Sequence, residues 1–152
     1  MVAALAVAVP QLAACGSQSS PGGGASPSAT SVGLGGTSWR ATGVYNGSGA
    51  VQPVTATPRV TAVFGATGVL SGSGGCNAYS ASYTVTGAGR MVIGPVAITQ
   101  MACDEVTMTT EAQYTAALGR VATYAVHGDG LTLRDSTGGV QVTFSKVVGQ
   151  HS

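Results

Sequence analysis

Three cysteines, two histidines and five carboxylates are the residues of this 152-residue chain whose types could do chemistry. Cys76 stands out, because it sits among glycines and before two tyrosines in Ser71–Tyr83, SGSGGCNAYSASY. A thiol nucleophile needs a lowered pKa and an oriented base, and Cys76 with His127 is the one pairing to weigh. Nothing around His127 marks it as that base. Cys76, Cys103 and His127 would supply three zinc ligands but lack the C-x-x-C or H-x-x-x-H spacing of a zinc site, so no metal and no cofactor is expected. Gly72–Gly75 lacks the Lys-Ser/Thr of a phosphate-binding loop and does not open a helix. Asp104 and Glu105 beside Cys103, and Asp129 and Asp135 in turn sequences, suit capping and turn chemistry better than acid–base work. The thiols leave three readings: a disulfide, two buried free thiols, or catalysis.

The start of the chain bears on that choice. Residues 1–14, MVAALAVAVPQLAA, carry an apolar run too short to span a bilayer, which takes about 20 residues. The run has the length of a signal-peptide core. It ends in Leu12-Ala13-Ala14-Cys15, which resembles the lipobox of bacterial lipoproteins. The resemblance implies cleavage before Cys15 and acylation of its thiol, which would anchor the protein to a membrane. No Lys or Arg precedes the run, so either the α-amino group supplies the positive charge or the start lies upstream. Residues 15–36, rich in Gly, Ser, Pro, Ala and Thr, are a flexible tether with an end-to-end distance of roughly 25 Å. With Cys15 taken by lipid, Cys76 and Cys103 form an even pair in an exported domain, and a disulfide is their expected fate. Closing that loop is worth roughly 3–4 kcal/mol in the chain-entropy model.

The elements that must position these residues are short strands. The chain has 24 glycines, six Lys/Arg and five Asp/Glu. Its net charge of +1 gives no field for steering nucleic acid. Thr37–Tyr45 alternates as a first strand. Arg59–Phe64 and Val69–Gly72 form a hairpin about Gly65–Gly68. Tyr79–Val85 and Arg90–Ile93 follow, with Pro95 blocking further pairing. Tyr114, Ala117, Leu118 and Val121 form one apolar stripe, which predicts a helix over about 107–121 with a capping box at Thr110 and Gln113. Thr123–His127, Leu131–Arg134 and Val140–Ser145 read as a three-stranded meander with one core face. The expected fold is α+β: a small antiparallel sheet of seven or eight short strands, rolled into an open barrel and packed with one helix. The folded domain spans 37–146, and 147–152 is a C-terminal tail.

Five blocks in register resemble the META domain family, which includes the heat-shock protein HslJ and many bacterial lipoproteins. They are Gly36-Thr37-Ser38-Trp39; Gly72-x-x-Gly75-Cys76-Asn77-x-Tyr79 with Ser82-Tyr83; Thr99-x-Met101-Ala102-Cys103; the helix block Glu111 to Leu118; and Gly128-Asp129-Gly130-Leu131-Thr132-Leu133. Together they cover essentially all of 36–146. Ala81 departs from the family, whose members often carry Gly there. The resemblance implies a compact, β-rich, non-enzymatic domain exported to the cell envelope. Members are linked to heat induction, antibiotic tolerance, motility or virulence.

The expectation is therefore a lipid-anchored protein on the extracytoplasmic side of the cell membrane or outer membrane. It would serve envelope stress or antibiotic tolerance by binding an envelope protein or a small hydrophobic ligand, as a monomer. The alternative is an inhibitor-like or structural module for one envelope protein. Trp39, Tyr79 and Tyr83 are the candidate contact surface, because amphipathic rings suit such surfaces; the competing reading places them in core and rim packing.

Overall fold

A computed structural model describes residues 34–55, 59–87 and 89–148. The lipobox residues Leu12, Ala13 and Ala14, the lipidation site Cys15, most of the tether and the end of the tail lie outside them. Ten strands and one helix follow in order: β1 (Thr37–Tyr45), β2 (Val51–Pro53), β3 (Thr61–Phe64), β4 (Val69–Ser73), β5 (Ala78–Thr86), β6 (Arg90–Ile93), β7 (Ala97–Ile98), α1 (Glu105–Leu118), β8 (Thr123–His127), β9 (Gly130–Arg134) and β10 (Val140–Lys146). Every pairing is antiparallel.

Eight of the strands form a closed ring, β1-β3-β4-β5-β6-β8-β9-β10, and β10 returns to β1. The expected barrel with one helix is thus present, and first-to-last pairing closes it, from Trp39↔Lys146 to Val44↔Val142. Closure removes the free edges that an open sheet would present. β2 extends the pairing of β1, and β7 adds a two-residue pairing to β5. The ring is uneven. Between β6 and β8 the register holds a single pair, Arg90↔Thr123, flanked by Met91 N–H on the Ala122 carbonyl (3.0 Å) and Tyr124 N–H on the Gly89 carbonyl (2.8 Å).

The alternation of apolar residues fills the interior. Ala62 and Phe64 of β3, Leu131 and Leu133 of β9 and Phe144 of β10 are all buried. In β1 the alternation breaks: Trp39 and Ala41 are buried, and then the adjacent Gly43 and Val44 both are. A bulge between Ala41 and Gly43 adds one residue and shifts the inward set by one position. A second bulge, between Val140 and Val142, leaves Gln141 buried, its Nε2 donating to Asp135 Oδ2 at 2.9 Å.

α1 buries Thr107, Glu111, Tyr114, Ala117 and Leu118, largely one stripe at i, i+4, i+7 and i+11. It spans Glu105–Leu118 rather than 107–121, because Asp104 caps it. Asp104 Oδ2 accepts the Thr107 N–H at 3.0 Å and Oδ1 accepts the Thr107 hydroxyl at 2.6 Å. These bonds, the hydroxyl first, hold the Asp104 carboxyl below the ordinary aspartate range. Thr110 is not the cap; its hydroxyl bonds back to the Val106 carbonyl at 3.0 Å.

Gly72 of β4 lies against the backbone of β3. A Cβ there would stand 2.2 Å from the Thr61 carbonyl oxygen, so the strands must part to admit one. Gly72→Ala is expected to cost about 1–3 kcal/mol, the range of overpacking, read as a lower midpoint in urea with an unchanged slope.

Candidate functional site

The signature residues converge on the corner between β4 and β5. Gly75 turns it with φ +119°, a conformation that favours glycine. Gly74 lets the helix approach: a Cβ on it would stand 2.7 Å from Glu111 Cγ. Glu111, itself buried, then meets the corner directly. Its Oε2 accepts the backbone N–H groups of Cys76 (3.1 Å) and Asn77 (2.5 Å), and its Oε1 accepts Asn77 Nδ2 (2.7 Å).

Asn77 joins a third segment to the first two. Its Oδ1 accepts the Thr99 hydroxyl (3.0 Å) and the Met101 N–H (2.5 Å), and its Nδ2 also reaches the Met101 carbonyl (3.3 Å). Thr99 Oγ1 in turn accepts the Ala78 N–H at 3.2 Å. Cys76 and Cys103 are joined in a disulfide with their Cα atoms 6.0 Å apart. Gly75, Cys76, Asn77, Thr99, Met101, Cys103 and Glu111 therefore form one assembly, which clasps the corner, the loop before the helix and the helix itself.

Tyr79 continues inward from that corner. Its hydroxyl donates to the Thr61 carbonyl (2.8 Å) and shares a hydrogen bond with the Tyr114 hydroxyl (2.6 Å). The two rings meet edge to face with centroids 5.4 Å apart, and Tyr114 meets Phe144 likewise at 6.3 Å. Burial pushes both hydroxyls above the ordinary tyrosine range; the bond from Tyr114 partly offsets this at Tyr79, whereas proximity to Tyr79 adds to it at Tyr114. The sign follows. Unfolded tyrosines ionise near pH 10 while these two stay protonated in the fold, so their contribution is intact below about pH 10 and falls as pH rises beyond it. Denaturation midpoints are expected to hold up to about pH 10 and to decline beyond it, and the decline should be shallower in Tyr114→Phe.

Of the expected contact surface of Trp39, Tyr79 and Tyr83, the first two lie in the core. Trp39 is 1% exposed and Tyr79 3%, so both are core residues. Trp39 Nε1 donates to Thr37 Oγ1 at 2.7 Å, which satisfies its one polar group. Tyr83 is half-buried, edge-on to Phe64 at 5.1 Å, with its hydroxyl on the Gly65 carbonyl at 2.5 Å. Their polar tips all find partners inside the fold. His127 is an exposed residue at the end of β8, and Cys76, being in the disulfide, has no thiol to offer it. Among the described residues, no three or more His, Cys, Asp or Glu side chains group as a metal site.

The surface feature missed from sequence is an open groove of about 310 Å³ between the β1–β2 turn and the outer face of α1. Tyr45 and Asn46 line it from the turn, and Ala112, Gln113, Ala116 and Arg120 from the helix and its C-terminal end. The Arg120 guanidinium carbon lies 6.0 Å from the Tyr45 ring centroid. Thr109, Ala112, Ala116 and Arg120 recur at helical spacing, a polar and small-residue stripe beside the apolar one, and this signal was available in the sequence.

A closed antiparallel barrel, with a helix clasped to one corner by a disulfide and a buried glutamate, defines the class of domain. The chain belongs to the META domain family, whose model matches residues 32–148. Three solved structures share the fold. A protein from Burkholderia xenovorans, solved by NMR, has a TM-score of 0.66 at 24% identity, over 93% of this chain and all (100%) of that one. A second NMR structure has a TM-score of 0.57 at 22% identity, covering 75% of this chain and 92% of that one. The crystal structure of a DUF4847 family protein from Bacteroides vulgatus has a TM-score of 0.51 at 13% identity, over 77% and 96%. No curated protein matches the chain. The disulfide indicates an oxidising, extracytoplasmic compartment. No helix among the described residues is long and apolar enough to cross a membrane.

Proposed function

We propose that this META domain is a non-catalytic binding module of the cell envelope, held to a membrane by lipid on Cys15 and acting in envelope stress or antibiotic tolerance. The observation that carries the binding reading is the groove at Tyr45 and Arg120. Aromatic rings and guanidinium groups are the side chains that most often dominate contact energies, and here the two stand together in a groove that Ala112 and Ala116 also line. The non-catalytic reading is supported by the use of the reactive groups as fasteners. Both described thiols are joined to each other, and both Glu111 oxygens accept bonds from the corner.

The test is crosslinking of the full chain in its own membranes, comparing wild type with Tyr45→Ser/Arg120→Ser. Adducts that vanish in the variant, with folding intact by circular dichroism, are the expected result; an unchanged adduct pattern would remove the groove from the reading. Incorporation of labelled fatty acid into wild type but not Cys15→Ser is expected, and equal labelling of both would sink the anchor. A single stoichiometric adduct would narrow the module to an inhibitor-like one.

A further inference from the structure

The disulfide joins the corner to the loop before the helix, and the Glu111–Asn77 network fastens that same pair of segments and the helix as well. That duplication has a consequence for the sulfur chemistry, separate from the groove. The corner is tied to the helix by Glu111 through the N–H groups of Cys76 and Asn77 and through Asn77 Nδ2. It is tied to the loop before the helix by Asn77 through Thr99 and Met101. None of these bonds uses sulfur. Asp104 caps α1 through Thr107, again without sulfur. Every element that the disulfide joins is therefore still held when the disulfide is open.

The two cysteines also differ in exposure. Cys103 is an exposed residue, in the loop immediately before the helix cap. Cys76 is half-buried in the corner, between Gly75 and the buried Asn77. We propose that Cys103 is a site of thiol–disulfide exchange with a dithiol-bearing partner, and that the domain keeps its fold in both redox states.

The step is a displacement at sulfur. A partner thiolate attacks Cys103 Sγ; the new S–S bond forms as the Cys76–Cys103 bond breaks, and Cys76 leaves as a thiolate that takes a proton from water. The partner's second thiol, as thiolate, then attacks its own sulfur in the mixed disulfide and releases Cys103. The partner's dithiol is oxidised to a disulfide, and the Cys76–Cys103 disulfide is reduced to two thiols. Electrostatics alone would favour the reverse direction, since the helix N-terminus makes Cys103 the better leaving group and the Glu111 carboxylate disfavours a thiolate at Cys76. Access decides, because attack must come in line with the S–S bond and Cys103 is the exposed residue of the two, whereas Cys76 is half-buried.

The experiment uses the full folded chain and glutathione redox buffers as the probe. The reaction is quenched with acid and the adduct mapped by mass spectrometry, while near-ultraviolet circular dichroism follows the tertiary fold. The expected result is a glutathione adduct on Cys103, reduction faster than global unfolding, and a tertiary spectrum retained after full reduction. An adduct on Cys76, reduction only at the unfolding rate, or loss of the tertiary spectrum would each overturn the proposal. A second arm uses Glu111→Ala, which removes all three bonds to the corner. If the network holds the reduced state, the variant should keep its tertiary spectrum when oxidised and lose it when reduced. Retention of the spectrum in both states would show that something else holds the fold, and would overturn the account.

Discussion

Glu111→Ala should lower the unfolding free energy by about 3–5 kcal/mol, one of the two largest losses expected of any single substitution in this domain. The side chain is buried and accepts three hydrogen bonds, two from consecutive backbone N–H groups at the β4–β5 corner. Truncation leaves those donors without an acceptor in a site where water replaces it poorly, and an unsatisfied buried donor costs about 1–3 kcal/mol. It also opens a void beside Gly74, a position that already has no side chain to fill it. Urea denaturation of the oxidised protein is the measurement. Glu111→Gln, which keeps one oxygen acceptor and the volume, should recover roughly half of the loss. A loss below about 1 kcal/mol for the alanine variant would mean that the disulfide alone holds the corner.

Tyr114→Ala is the second. Tyr114 is fully buried, packs against Tyr79 and Phe144, and is the largest of the helix side chains in the core. Removing a buried aromatic ring costs about 3–5 kcal/mol through lost transfer energy and the cavity left behind. Tyr114→Phe separates the ring from the hydroxyl. Tyr79 keeps its bond to the Thr61 carbonyl in that variant, so the phenylalanine should cost only about 1 kcal/mol. Near-equal losses in the two variants would place the energy in the hydroxyl pair instead. Thermal or urea midpoints of the three proteins decide between these outcomes.

Glu111 also shows where sequence reasoning stops. A carboxylate within a helix reads as solvent-facing or as a partner of the helix dipole, and only the stripe of Thr107, Glu111, Tyr114 and Leu118 hints that it points inward. What it meets lies 34 and 35 residues away, and helical period carries no record of that distance. The same divide runs through the fold. The strands of the 123–146 meander were legible because Leu131, Leu133, Val142 and Phe144 alternate and the turns between them carry Gly, Asp and Ser. Pairing of β1 with β10 was not, since alternation says which face is buried but not which strand lies alongside. The helix start was misplaced because Thr110 and Gln113 have capping spacing, while Asp104 wins by bonding both the N–H and the hydroxyl of Thr107. Trp39 and Tyr79 looked like surface rings because their polar atoms must be satisfied somewhere, and only the structure shows Thr37, Thr61 and Tyr114 doing so inside.

The pairing of β1 with β10 bears on the order in which the domain can come into being. The partners Trp39 and Lys146 stand at opposite ends of the folded sequence. A chain that emerges N-terminus first therefore carries β1 with one edge unpaired until the last strand is delivered. Closure of so long a loop is slow, and no earlier fragment can complete the ring. The ring can close only after the last strand has been delivered.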